Sequence, residues 1–241
     1  MGGFYLRAFE LLPNFLQRRI FPLDHSIHSY MLDVKPKNVG GLVLDAGSGE
    51  GRFRHVFSDC GYVALDSQVG DKNWNYSDVD VAADLAAIPF PACSTDVVLN
   101  TQVLEHVPDP QKVVDELFRV LKPGGTLLLT APQGWHEHQQ PNDFFRFTQY
   151  SLTPIFLKAG FRSVEVSPIG GYFHYLGHRL TYIPKVLFQK RPGWLRVVLF
   201  PLELLSLVVF CFLAPLVCYY FDFLDKDKEF TLCYKCVATK E

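Results

Sequence analysis

The chain carries no excess of positive charge: 23 Lys and Arg stand against 25 Asp and Glu, for a net charge of −2. Without a basic surplus nothing points to nucleic acid as a partner, because phosphate binding draws on clustered Lys and Arg. Cysteine is sparse and scattered, at positions 60, 93, 211, 218, 233 and 236. Cys233 and Cys236 have CxxC spacing but fall in an apparent strand, where residues three apart point to opposite faces. No second pair or neighbouring histidine completes a zinc set. Free thiols in a reducing compartment are therefore expected, and no metal. The first residues lack an uninterrupted apolar core followed by a small-residue cleavage site, so no secretory signal is expected. Leu6 stands where a myristoylation signal needs Ser or Thr.

What the chain does have is apolar: 49% of its 241 residues are hydrophobic and 15% aromatic. That suits one α/β domain with an insertion or a small appendage. Its organising stretch is Gly41 to Asp66, GLVLDAGSGEGRFRHVFSDCGYVALD. Leu42-Val43-Leu44 is too short for a helix and fits a buried parallel strand ending at Asp45. A glycine turn follows, Gly47-Ser48-Gly49-Glu50-Gly51, where the missing Cβ lets backbone approach a ligand. Arg52 to Ser58 is expected to be a helix. Tyr62 to Leu65 is a second strand ending in Asp66, placed to accept hydrogen bonds from ribose hydroxyls. The third glycine of a dinucleotide fingerprint is also missing, because Arg52 stands in its place. That disfavours a nicotinamide-dependent oxidoreductase.

The pattern D-x-G-x-G-x-G over Asp45 to Gly51 resembles motif I of the class I S-adenosylmethionine-dependent methyltransferases. The segments LEHVPDP (104–110) and LFRVLKPGGTLLLTAP (117–132) are similar to the small-molecule, type 11-like branch of that family. The resemblance covers 41 to about 166. It implies a doubly wound, seven-stranded, mostly parallel Rossmann-like sheet with S-adenosyl-L-methionine as cofactor. It also implies cofactor contacts at Asp45, Gly47, Ser48, Gly49, Gly51, Asp66, Asp84, Leu85 and Asn100, with Asp84 and the Leu85 backbone on the adenine.

Further strands are expected at 78–83, 96–100, 126–130, 162–166 and 230–239, with helices at 111–121 and 151–159. A helix or lid is expected at 24–30, and an amphipathic run through Tyr5, Phe9, Leu12, Leu16 and Ile20. The loop 67–77 holds Trp74 and Tyr76, which either cover the nucleoside or cap the sheet edge. Ligands of such sheets sit outside the carboxyl ends of the strands, so the loops after the fourth and fifth strands should meet the acceptor. They contain Glu105, His106 and the run Gln133 to Thr148. Methyl transfer to a hydroxyl needs a proton removed, which suits histidine. His106, His136 and His138 are candidate bases, with Asp143 or Glu137 to orient one of them. Arg146 is a candidate anion holder or the ion-pair partner of Asp143.

Between the sixth and last strands lies an insertion of some sixty residues, so the chain divides into 1–40, a methyltransferase domain of 41–168 with 230–241, and 169–229. Val197 to Phe221 is 25 residues with one charge, Glu203. One span there would separate two strands of one sheet, so a shallow hairpin broken at Pro201 and Pro215, or an in-plane helix, is expected. Lys185, Lys190, Arg191 and Arg196 would then sit at headgroups. The expectation is a cytoplasmic, peripherally membrane-associated methyltransferase with a small-molecule or lipid-linked acceptor. The alternative is a membrane-associated scaffold that keeps the fold without turnover.

Overall fold

The computed structural model of the chain describes residues 13–20, 22–33, 41–70, 73–189 and 191–241. The expected helical positions Tyr5, Phe9 and Leu12, and Lys190, lie outside these. In chain order the regular elements begin with α1 (Asn14–Ile20), α2 (Pro22–Asp33), β1 (Leu42–Ala46), β2 (Gly61–Asp66), β3 (Val81–Ala82) and β4 (Thr95–Thr101). They continue with α3 (Pro110–Val120), β5 (Leu121–Pro132), α4 (Gln149–Ala159), β6 (Ser163–Ile169), α5 (Tyr172–Leu180) and α6 (Ile183–Phe188). The last are α7 (Gly193–Leu207), a π-helical stretch Val208–Leu213, α8 (Ala214–Phe221) and β7 (Cys233–Thr239).

The strands form one sheet in the order β3-β2-β1-β4-β5-β7-β6. The pairs β1–β2, β1–β4, β2–β3 and β4–β5 are parallel, and β7 runs antiparallel to β5. The order reverses between β1 and β4, which places a ligand crevice at the carboxyl ends of those two strands. Val43, Leu44, Val98, Leu99 and Leu127 to Leu129 are fully buried, as apolar runs in a sheet covered on both faces must be. Helix α3 starts where Asp109 accepts the Lys112 amide and Pro110 fits the first turn, and it buries Val113, Val114, Leu117 and Val120. Helix α4 starts with a Thr148–Ser151 capping box and ends at Gly160, whose φ of +112° suits a residue without Cβ.

Two local expectations are corrected. Residues 51–59 form a succession of turns, with Arg54, Val56, Phe57 and Cys60 amides donating to carbonyls three residues back. Because these bonds reach three residues back rather than four, no regular α-helix forms over Arg52 to Ser58. Buried Phe53, Val56 and Phe57 still anchor the segment. The third strand shrinks from the expected 78–83 to Val81–Ala82, since Tyr76–Asp78 closes into a 3-10 turn capped by Asn75.

The chain divides into two compact units. One holds Ser29–Ser167 with Cys233–Glu241, and the other holds Pro168–Leu232 with the described residues up to His28. Within the second unit, α7, the π stretch and α8 run on without reversal. The hairpin expected from Pro201 and Pro215 is therefore not formed. Pro201 lies inside α7 and Pro215 in the first turn of α8, where a missing N–H costs little, while the wide π turn absorbs the local mismatch. The apolar run extends through Val197–Leu224, 28 residues. Its inner stripe is narrow. Pro215, Cys218 and Asp222 are buried, and a Cβ on Gly177 of α5 would meet the Cβ of Cys218 at 3.0 Å. Asp222 accepts the Gly171 and His174 amides and pairs with His174 Nδ1 at 2.7 Å.

Candidate cofactor and acceptor site

The crevice at the end of β1 is built around the glycine turn. Gly47 has φ +86°, and a Cβ there would sit 2.5 Å from Val103 Cγ2, so no other residue fits without displacing the segment after β4. The Gly47 and Ser48 amides donate to the Leu65 carbonyl at 2.8 and 3.1 Å, which ties the turn to β2. Asp66, at the end of β2, accepts the Gly49 amide on one carboxylate oxygen at 2.8 Å and the Gln68 amide on the other at 2.6 Å. Each oxygen keeps a lone pair that a ribose hydroxyl can use.

Three buried polar atoms line this crevice without a hydrogen-bond partner among the described residues: Asp45 Oδ1, Ser48 Oγ and Asn100 Oδ1. The Asn100 amide nitrogen donates to the Ala46 carbonyl at 2.8 Å, which orients its free oxygen. The Tyr62 hydroxyl donates to Asp45 Oδ2. Burial pushes the Asp45 carboxyl up to about 7, against the lowering effect of the Tyr62 bond. An unsatisfied buried polar atom is costly, so three around a strained turn fit a polar ligand such as the amino-acid end of S-adenosylmethionine. Asp84 is exposed and accepts the Ala86 amide at 2.8 Å, capping a 3-10 turn in which Leu85 is buried. The Trp74 ring lies over Gly49, its nearest carbon 3.3 Å from where a Cβ would stand.

The loops after β4 and β5 join into a second cluster. A 3-10 turn, Leu104–His106, buries Glu105 completely. The Phe144 and Phe145 amides donate to the Glu105 carbonyl, which ties the two loops together. His106 Nδ1 lies 2.6 Å from the Asn142 carbonyl, and its Nε2 lies 3.1 Å from His138 Nε2, the rings meeting edge to face. His138 Nδ1 lies 3.0 Å from the His136 carbonyl. Burial holds both imidazoles below the ordinary histidine range and pushes the Glu105 carboxyl up to about 8.

Arg146 forks onto Asp143 at 2.7 and 2.9 Å and also donates to the Trp135, His136 and Phe145 carbonyls. Asp143 in turn accepts the His138 amide at 2.8 Å, and the guanidinium keeps its carboxyl well below the usual carboxylate range. Asp143 and Arg146 thus fix the loop. The histidine brought to His106 is His138; His136 is exposed and contributes its carbonyl to the loop. In the sequence Glu105 stands out only as an acid in the loop after the fourth strand. The signal for it was an acid beside a histidine just past a strand end.

Comparison with known proteins agrees with this architecture. Residues 44–129 match the model of the methyltransferase domain family. A "probable S-adenosylmethionine-dependent methyltransferase" of Mycolicibacterium smegmatis is 35% identical over 150 residues, 57% of this chain and 57% of that protein. The chain thus spans little more than half the length of that relative. An S-adenosylmethionine-dependent methyltransferase structure from Thermotoga maritima superposes with a TM-score of 0.56 at 15% identity, covering 98% of this chain and 95% of that one. The protein solved with the Haloferax volcanii Trm112 methyltransferase activator gives 0.56 at 19% identity, covering 94% and 95%. These two show the fold. Across β1 to β5, with its glycine turn at the switch point, the chain is thus similar in sequence to S-adenosylmethionine-dependent methyltransferases, and its fold is that of the two structures.

Proposed function

We propose that the chain transfers the methyl group of S-adenosylmethionine to a small-molecule or lipid-linked acceptor at a membrane surface. The observation that carries the cofactor half is the trio of unpartnered buried atoms, Asp45 Oδ1, Ser48 Oγ and Asn100 Oδ1, around the left-handed glycine turn. Bound there, the cofactor supplies an electrophilic methyl on a good leaving group, so the protein's work is alignment and exclusion of water. Asp66 takes the ribose hydroxyls, and Asp84 with the Leu85 backbone takes the adenine. The acceptor enters at the carboxyl ends of β4 and β5, where His106 and His138 present ring nitrogens from a loop braced by Asp143 and Arg146.

The membrane half rests on Val197–Leu224. Trp194, Val197 and Phe200 are 70%, 76% and 61% exposed, beside exposed Leu202, Leu204, Leu205 and Val208. Apolar exposure on that scale marks an interaction surface. The strands flanking the insertion, β6 and β7, belong to one sheet, so the chain must cross a bilayer an even number of times or not at all. Helices α5 and α6, of 9 and 6 residues, are too short for a second crossing. An in-plane helix remains, with its inner stripe on protein and its outer face among acyl chains.

Calorimetric titration of the detergent-solubilised chain with S-adenosylhomocysteine tests the cofactor half. Saturable binding that is lost in Asn100→Leu supports it. Failure of the well-folded wild type to bind overturns it and favours a membrane-associated scaffold, a reading to which Trp74 over Gly49 lends weight.

A further inference from the structure

The His106–His138 contact poses a problem in proton placement. Backbone carbonyl oxygens only accept hydrogen bonds, so the nitrogens facing Asn142 and His136 must both carry protons: His106 Nδ1 at 2.6 Å and His138 Nδ1 at 3.0 Å. In neutral imidazoles both Nε2 atoms are then bare, and their lone pairs face each other across 3.1 Å. Beside them stands Glu105, wholly buried, its Oε1 3.8 Å from His106 Nε2 and neither oxygen hydrogen-bonded among the described residues. Three electron-pair donors thus converge, every pair of ligand atoms within 4.8 Å. A single positive ion at their centre would resolve both the lone-pair clash and the orphaned carboxylate.

We propose that Glu105, His106 and His138 bind a divalent transition-metal cation of the zinc class, through one carboxylate oxygen and the two Nε2 atoms. Two imidazole nitrogens at about 2.1 Å from one ion, with a coordination angle between square and tetrahedral, lie roughly 3.0–3.4 Å apart. The observed 3.1 Å falls inside that range. The carboxylate has to close by about half an ångström on His106 Nε2 and by up to about 1.4 Å on His138 Nε2, by rotation of a terminal group. Two imidazoles with one carboxylate suit zinc, cobalt, iron or manganese; magnesium, which prefers oxygen, fits poorly. The Nδ1–H bonds to Asn142 and His136 are the outer contacts that hold imidazole ligands in the binding tautomer. Asp143 is withheld from the ion by Arg146 and fixes the His138 backbone instead. With three protein ligands, at least one coordination position is left open for water or an acceptor oxygen. That the ion receives the acceptor rests on the methyl-transfer reading; that it binds does not.

The test is cobalt(II) titration of the chelator-stripped, detergent-solubilised 241-residue chain at neutral pH. Binding is followed by visible absorption, with zinc as competitor, and S-adenosylhomocysteine binding is measured on the same samples. The expected result is one cobalt per chain, displaced by zinc, with affinity falling at least tenfold in His138→Ala and in the near-isosteric Glu105→Gln, and holding in His136→Ala. The partly exposed His138 can be truncated at little cost to the fold, so loss of cobalt in that variant reads directly on the site. No cobalt bound by folded wild type, or equal binding by His138→Ala, overturns the site, as does loss confined to His136→Ala. A chain that binds S-adenosylhomocysteine but no cobalt sinks this inference alone. One that binds cobalt but no S-adenosylhomocysteine sinks the cofactor assignment alone.

Discussion

The carboxylate of Asp66 accepts the amide hydrogen of Gly49 at 2.8 Å, joining the acid at the end of β2 to the turn at the end of β1. The residue read as a ribose acceptor is therefore also a brace for the glycine turn. Asp66→Asn keeps the shape and one acceptor but loses the charge and half of the lone-pair capacity. Its affinity for S-adenosylhomocysteine is expected to fall about tenfold, the worth of one charge-assisted hydrogen bond. Asp66→Ala, which also frees the Gly49 and Gln68 amides, is expected to lose a further tenfold and some thermal stability. Equal affinities in calorimetry for wild type and Asp66→Asn would remove Asp66 from the site.

Gly47 offers a test of the turn that involves no ligand. In Gly47→Ala a left-handed φ of +86° must carry a side chain, and its Cβ must share space with Val103. Strain and clash together are expected to cost about 2–4 kcal/mol. Adding Val103→Ala should recover only the clash, leaving about 1–2 kcal/mol of backbone strain. Urea melts of the four proteins in this cycle measure both parts, and full recovery in the double variant would show that φ carries no penalty.

Asp45 couples stability to pH. Its folded carboxyl sits at about 7, raised by burial, whereas the unfolded chain has the ordinary value near 3.8. Between those values the folded state holds a proton that the unfolded state has released. The stability from this group is thus complete below pH 3.8 and lost as pH rises through 7. Glu105, also raised by burial, slopes the same way, so the informative quantity is the difference between wild type and Asp45→Asn. The variant is expected to lose about 2–4 kcal/mol less than wild type between pH 5 and pH 8. Parallel denaturation profiles would show that Asp45 is ionised in the fold.

How legible these features were in the sequence follows from the kind of signal each leaves. Leu42-Val43-Leu44, between Gly41 and Asp45, and Leu127-Leu128-Leu129, between two threonines, are short apolar runs, and Val43, Leu44 and all three of the latter are fully buried as those runs require. The apolar spacing of Phe53, Val56 and Phe57 is that of a helix, while the bonds to carbonyls three residues back that make the segment a run of turns leave no mark in periodicity. Proline misled at 201, where losing one hydrogen bond did not end a helix made of strong apolar neighbours. In the loop after β5 no period exists, so nothing in the sequence could choose His138 over His136. That choice is made by the Asp143 carboxylate on the His138 amide.

The insertion supplies the last prediction, because an in-plane helix and a spanning one expose different ends. Leu205 and Val198, seven residues apart on one side of α7, are 58% and 68% exposed, whereas Ser206 is buried. Replacing both with Glu leaves the inner packing intact and removes two apolar side chains, each worth about 1.5–3 kcal/mol when fully buried, from the surface proposed to meet lipid. Co-sedimentation with anionic vesicles is expected to fall at least tenfold for the double variant, with cofactor affinity unchanged. Orientation is read separately, by trypsin added to one side of sealed native membranes. Arg191 precedes the helix and Lys226 follows it. An in-plane helix leaves both flanks on the face that carries the sheet, so both are cut from that face and neither from the other. Cleavage of the two flanks from opposite faces would mean that the helix spans the bilayer, which a sheet holding both β6 and β7 does not allow.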